Sequence, residues 1–154
     1  MIEAMHLKKT SAAAKSGQTP GQAVVEFAIV LPVLLILLIG LINLGFLINA
    51  QIILTQAAWE GVRTGATLDP ASGEGDAEIN GAVQAAMIGL TNPSAVAITI
   101  SPDESARAAM SWPKPRGESL TVDLSYPLNL SLPVPISVNL GAHATSRIEY
   151  SNSP

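Results

Sequence analysis

The stretch VVEFAIVLPVLLILLIGLINLGFLINA, Val24 to Ala50, decides how the chain is read. A hydrocarbon core about 30 Å thick needs about 20 apolar residues at ~1.5 Å each, and this run exceeds that length with Glu26 as its only charge. It predicts one membrane-crossing helix. Pro32 has no amide proton to donate, so the helix is expected to loosen or bend there. Gly40 and Gly45 remove bulk farther along and suit close helix approach.

The residues before the run are polar, and Met1 to Gly21 shows no sustained apolar period, so a disordered leader is expected. It carries Lys8, Lys9 and Lys15, whereas Glu3 is the single acid ahead of Glu26 and all the others follow. Lysines beside a membrane helix favour the cytoplasmic side, which places the leader inside and the chain after Ala50 outside. The net charge of −4 thus hides a basic leader and an acidic exported part. An acidic domain is a poor ligand for phosphate backbones, so no nucleic-acid partner is expected. There is no cysteine, which excludes disulfides and thiolate metal sites.

After Ala50 the segment Gln51 to Glu60 mixes polar and apolar residues without a turn signal, so the helix should continue and end between Gly65 and Asp69. Pro70 to Gly75 reads as a loop. Ile79, Val83, Met87 and Leu90 recur at helical spacing and predict a second, shorter amphipathic helix, with Ser72 or Asp76 near its start. Asn92-Pro93-Ser94 closes it, and Ala95 to Ile100 favours a strand through its β-branched residues. Ser101 to Gly117, with three prolines, reads as an exposed loop. Leu120 to Tyr126 alternates apolar and polar residues as a half-buried strand does. Pro127, Pro133 and Pro135 are expected to break the following region before a last strand over His143 to Tyr150. The fold class expected is α+β: a long N-terminal transmembrane helix extending into a small domain with a second helix and an antiparallel sheet of about three strands. The organisation expected is a basic leader over 1–21, a membrane helix over 22–50 and an extracytoplasmic domain over 51–154.

The junction Gly21-Gln22-Ala23-Val24-Val25-Glu26-Phe27 stands where the leader meets the apolar helix. It resembles the processing site of type IV pilin-like precursors, in which a membrane peptidase cuts after Gly and the fifth mature residue is Glu, here Glu26. Phe27 resembles the aromatic residue that follows this Glu in the Tad branch. Beyond the membrane run, Ala57-Ala58-Trp59-Glu60-Gly61-Val62-Arg63-Thr64-Gly65-Ala66 resembles the Ala-rich Arg-Glu-Gly-Ala-Arg stretch of TadE-like and TadG-like proteins. Glu60, Gly61 and Arg63 match it, and Trp59 stands where Arg is frequent. Arg147-Ile148-Glu149 resembles the family's final Arg-x-Glu.

The resemblance is to the TadE-like minor pilins and pseudopilins, with TadF-like and TadG-like proteins as close relatives. It implies cleavage between Gly21 and Gln22 by a prepilin peptidase. It also implies assembly with other pilins or pseudopilins and with an inner-membrane pilus platform, besides contact with membrane lipid. Cutting after Gly21 would create an ammonium on Gln22 about one helical turn from Glu26, and a neighbouring subunit can offer its own ammonium to that carboxylate. The location implied is the cytoplasmic (inner) membrane in a single pass, with incorporation into a surface pilus. The competing reading is an unprocessed, membrane-tethered binding module. On plain physical grounds Glu60 and Arg63 form a surface i,i+3 pair, Gly61 and Gly65 permit close packing, and Glu26 is an interfacial carboxylate.

Catalytic chemistry finds no support in the residue pattern. Asp76-Ala77-Glu78-Ile79-Asn80-Gly81 begins like a calcium loop, but position twelve is Met87 instead of a bidentate acid. Ser111-Trp112-Pro113-Lys114 contains Ser-x-x-Lys without its companion motifs. His6 and His143 lie far apart and lack a ligand set. No enzyme activity, cofactor or metal is expected, and Trp59, Trp112 and Tyr126 are left open between core and partner surface.

Overall fold

In the computed structural model the described residues are 21–68, 75–112, 114–130 and 135–151. The expected leader (except Gly21), the 70–75 loop up to Glu74, and Pro133 lie outside them. The chain divides into two compact units, Met1–Leu37 and Leu38–Pro154.

A single helix, α1, runs unbroken over Gln22–Ala66 with Pro32 inside it. Within the first unit every described residue, Gly21 to Leu37, is exposed. The apolar window that qualifies α1 as a membrane span is not buried anywhere in the protein. A core helix would be covered, so the bare apolar surface fits a single-pass anchor instead.

Within the second unit α1 changes character at Ala50. From there its buried residues are Ala50, Leu54, Ala57, Ala58, Gly61, Val62, Gly65 and Ala66, recurring at three- and four-residue steps as one covered face requires. Helix α2, Asp76–Ala86, buries Ile79 and Val83, and Met87 and Leu90 continue that face. Asp76 and Glu78 lie in its first turn, where carboxylates complement the helix dipole. Glu78 Oε2 accepts the Gly75 N–H at 2.7 Å.

A 3₁₀ turn over Pro93–Ala95 leads into β1, Ala97–Ser101. Strands β2, Ser119–Leu130, and β3, Ile136–Arg147, complete an antiparallel sheet of order β1-β2-β3. Val122 pairs with Ile100 on one side and Ala144 on the other. The inward positions of β2, Leu120, Val122, Leu124, Tyr126 and Leu128, are all buried. The opposite face is polar: Thr121 and Thr145 hydroxyls meet at 3.0 Å, and Ser137 Oγ donates to Asn129 Oδ1 at 2.7 Å. The sheet therefore has one face in the core with α1 and α2 and one toward water.

The architecture is the expected α+β fold, with three local differences. Pro127 does not break β2 but sits inside it, paired with Asn139. β1 pairs with β2 no farther than Ser125, so β2 has an open edge at Pro127, the situation in which a strand tolerates a missing donor. For the same reason β3 begins at Ile136, earlier than His143, and it ends at Arg147. The 101–117 segment is not simply an exposed loop. It holds a short helix α3, Glu104–Ala108, and a fully buried Pro115.

Asp103 caps α3: its Oδ1 accepts the Ala106 N–H at 2.7 Å and the Ser105 hydroxyl at 2.9 Å. These bonds, the Ala106 amide foremost, hold its carboxyl below the ordinary value of 3.8. A carboxylate with a depressed folded-state pKa stabilises the fold above its unfolded pKa and loses that effect as pH falls through the folded value. Relative to Asp103→Asn, the native chain should therefore protect the α3 amides better near neutrality. The difference should vanish as the pH drops below 3.8, which amide hydrogen exchange in detergent micelles measures.

Candidate assembly site

The junction residues are ordered by the first turns of α1. Gly21 carbonyl accepts the Val25 N–H at 3.2 Å, so the helical bonding pattern reaches back to the residue before the expected cut. Gln22 Nε2 donates to Glu26 Oε1 at 3.2 Å across one i,i+4 step. Phe27 is 64% exposed. Gly21, Gln22, Glu26 and Phe27 thus form an exposed helix beginning in which the only carboxylate is held by a neutral amide of its own chain. A neutral donor leaves the charge uncompensated, and a carboxylate gains more from a cationic partner.

The post-membrane motif lies in the second unit and divides by role. Arg63 Nη1 and Glu60 Oε2 are 3.7 Å apart with both side chains largely solvent-exposed, a surface pair of small energetic weight. Gly61 faces inward. A Cβ on it would lie 2.6 Å from Val83 Cγ2, and one on Gly65 would lie 2.8 Å from Ile79 Cδ1 and against Leu120 Cδ2. The two glycines let α1 touch α2 and β2 together, the close packing the sequence suggested.

Of the aromatic residues left open, Tyr126 is core at 3% exposure, while Trp59 and Trp112 stand out at 56% and 59%. Trp59, Glu60 and Arg63 line an open groove of about 610 Å³ with Ala66, Ser146 and Glu149. At its end the Glu149 N–H donates to Ala66 carbonyl at 2.9 Å. The final Arg-x-Glu thereby closes on the end of α1: Ile148 is buried, and its N–H bonds to Glu118 carbonyl at 2.9 Å.

One residue of consequence was not singled out from the sequence. Arg107 is buried to 3% exposure, its Nη2 lies 2.6 Å from Asp76 Oδ1, and its Nη1 donates to Pro102 carbonyl at 2.6 Å. Asp76 Oδ2 accepts the Glu104 N–H at 3.0 Å, and Glu104 Oε2 accepts the Asp76 N–H at 3.1 Å. The starts of α2 and α3 thus clasp each other reciprocally. The acids that open like a calcium loop are spent on helix starts: Asp76 on Arg107 and Glu104, Glu78 on Gly75.

A bare apolar N-terminal helix that becomes amphipathic and packs into a small α+β unit defines a class of membrane-anchored proteins with a helix shared between anchor and domain. Residues 21–63 match the family described as TadE-like protein, in line with the resemblance read from its motifs. The match begins at the junction glycine and ends at Arg63, taking in Glu26, Phe27, Glu60, Gly61 and Arg63, while Arg147-Ile148-Glu149 lies beyond it. No curated protein and no solved structure matches the chain.

Proposed function

We propose that the protein is a minor pilin or pseudopilin of a Tad/Flp-type pilus, cut by a prepilin peptidase between Gly21 and Gln22 and acting, without catalysis of its own, in pilus assembly. The observation that carries this reading is the family match opening at Gly21, where the helix also opens. The orientation proposed is leader inside and the domain after Ala50 outside the cytoplasmic membrane, following the lysines of the leader. Its partners are the peptidase, other pilins and the inner-membrane platform.

Intact mass of the protein from its native membrane tests the cut. Loss of residues 1–21 is expected, allowing for cyclisation of the new N-terminal glutamine. A full-length mass in a strain with active peptidase would remove the pilin reading and leave the tethered binding module, for which the groove beside Trp59 offers a surface.

Glu26→Gln tests the assembly role. It keeps the shape and the bond partner in Gln22 but removes the charge that an ammonium from a neighbouring subunit would meet. Processing and membrane insertion should persist, while co-purification with pilus components falls at least about tenfold, the equivalent of a lost charged hydrogen bond of about 1.5–3 kcal/mol. Wild-type incorporation would refute the role given to Glu26.

A further inference from the structure

Charge is distributed along the second unit in a polar fashion. There is no acidic or basic side chain between Glu26 and Glu60, between Glu78 and Asp103, or between Asp123 and His143. These three stretches belong to α1, to α2 with β1, and to the β2–β3 hairpin. The packing brings their charge-free parts to one end. Leu120 meets α1 at Gly65 and Val122 meets it at Gly61, whereas Tyr126 and Leu128 share a recess of about 120 Å³ with Phe46, Ala50, Gly89 and Leu90. Strand β2 therefore runs antiparallel to α1, from the charged end of the unit back toward the apolar run.

At that end the side chains are apolar and uncovered. Ile88, just past α2, is 85% exposed, and Ile136, the first residue of β3, is 55% exposed. Ile136 pairs with Leu130, two residues beyond Leu128, or about 6.6 Å farther along the strand. Because Leu128 is already level with the helix between Phe46 and Ala50, Leu130 and Ile136 stand beside residues inside the apolar run that ends at Ala50. An aqueous position there would place bare Ile88 and Ile136 in water beside a helix surface that is itself lipid-facing.

We propose that this end of the domain, built on Ile88, Leu130 and Ile136 beside Phe46, is a second membrane contact: it beds into the interfacial region of the bilayer leaflet that α1 leaves. The inference rests on the reading of α1 as a membrane span. Lipid is the occupant because the patch continues the lipid-facing surface of α1 and lacks any charge that would resist entry into the acyl boundary. The charged end of the same unit, with Asp76, Asp103, Arg107, Lys114 and Glu118, is held away in water. The domain is thereby fixed in tilt against the bilayer.

The full-length chain has no cysteine, so single-cysteine variants Leu41→Cys, Ile88→Cys, Ile136→Cys and Ser119→Cys can each carry a bimane label. They are reconstituted at low protein-to-lipid ratio in phosphatidylethanolamine–phosphatidylglycerol vesicles, with and without acyl-brominated lipid. Several-fold quenching is expected at Leu41, Ile88 and Ile136, with none at Ser119. Quenching at Leu41 while Ile88 and Ile136 behave as Ser119 does would overturn the proposal and leave the membrane span intact. No quenching at Leu41 would instead overturn the membrane reading, and this inference with it. A blue shift of the Ile88 and Ile136 labels that grows with protein density and comes without quenching by brominated lipid would assign the patch to a neighbouring subunit and refute the lipid contact.

Discussion

Arg107→Ala is expected to lower the unfolding free energy of the Leu38–Pro154 unit by about 3 kcal/mol, the lower part of the range for breaking a buried ion pair by removing one partner. The guanidinium is covered, and its loss leaves Asp76 Oδ1 and Pro102 carbonyl without the donors found at 2.6 Å. Asp76 keeps a quarter of its side-chain surface in water, which eases the penalty and sets the estimate at the low end. Arg107→Met should restore volume but little stability, because Asp76 Oδ1 still lacks its cationic partner. Adding Asp76→Asn to Arg107→Met should recover part of the loss by removing that charge. Urea titration of the detergent-solubilised protein followed by Trp fluorescence measures all three. If Arg107→Ala unfolds at the native midpoint, the buried Arg107–Asp76 pair contributes nothing.

Gly65→Ala should cost about 1–3 kcal/mol by overpacking, and Gly65→Val more. The new Cβ would meet Ile79 and Leu120, which belong to different elements and are both fully buried, so neither can move aside without displacing the core. Leu120→Val in the Gly65→Ala background should return part of the loss, since it withdraws the Cδ2 methyl. Gly40→Ala has nothing within 4 Å and should leave the same unfolding midpoint unchanged. Equal midpoints for Gly65→Ala and Gly40→Ala would contradict the close approach of α1 to β2.

The elements governed by one periodic signal were readable from the residues. Val24 to Ala50 announces a span because no soluble core accommodates so long an apolar run uncovered, and Ile79, Val83, Met87 and Leu90 announce α2 through one repeating face. The alternation from Leu120 to Tyr126 placed β2 and its inward side. What escaped depends on partners remote in sequence. Pro127 breaks a strand only if its missing donor is needed, and that is decided by where β1 stops pairing. Arg107 reads as one more surface cation until Asp76 is brought against it; the run Asp103-Glu104 ahead of it signals a helix start, but not a burial. At the junction, the spacing of Gly21, Gln22 and Glu26 was legible as one helical turn. The bond between the Gln22 amide and Glu26 needed side-chain placement to be seen.

The small residues at Gly61 and Gly65 also give α1 a mechanical property. They form two notches that accept Val83 and the Ile79–Leu120 pair, while the neighbouring Val62 and Leu54 fill space of their own. Sliding the helix along its axis would carry each notch away from the side chain it accepts and press helix backbone and side chains against it. Tension applied along α1 is therefore passed directly into the sheet across this keyed surface.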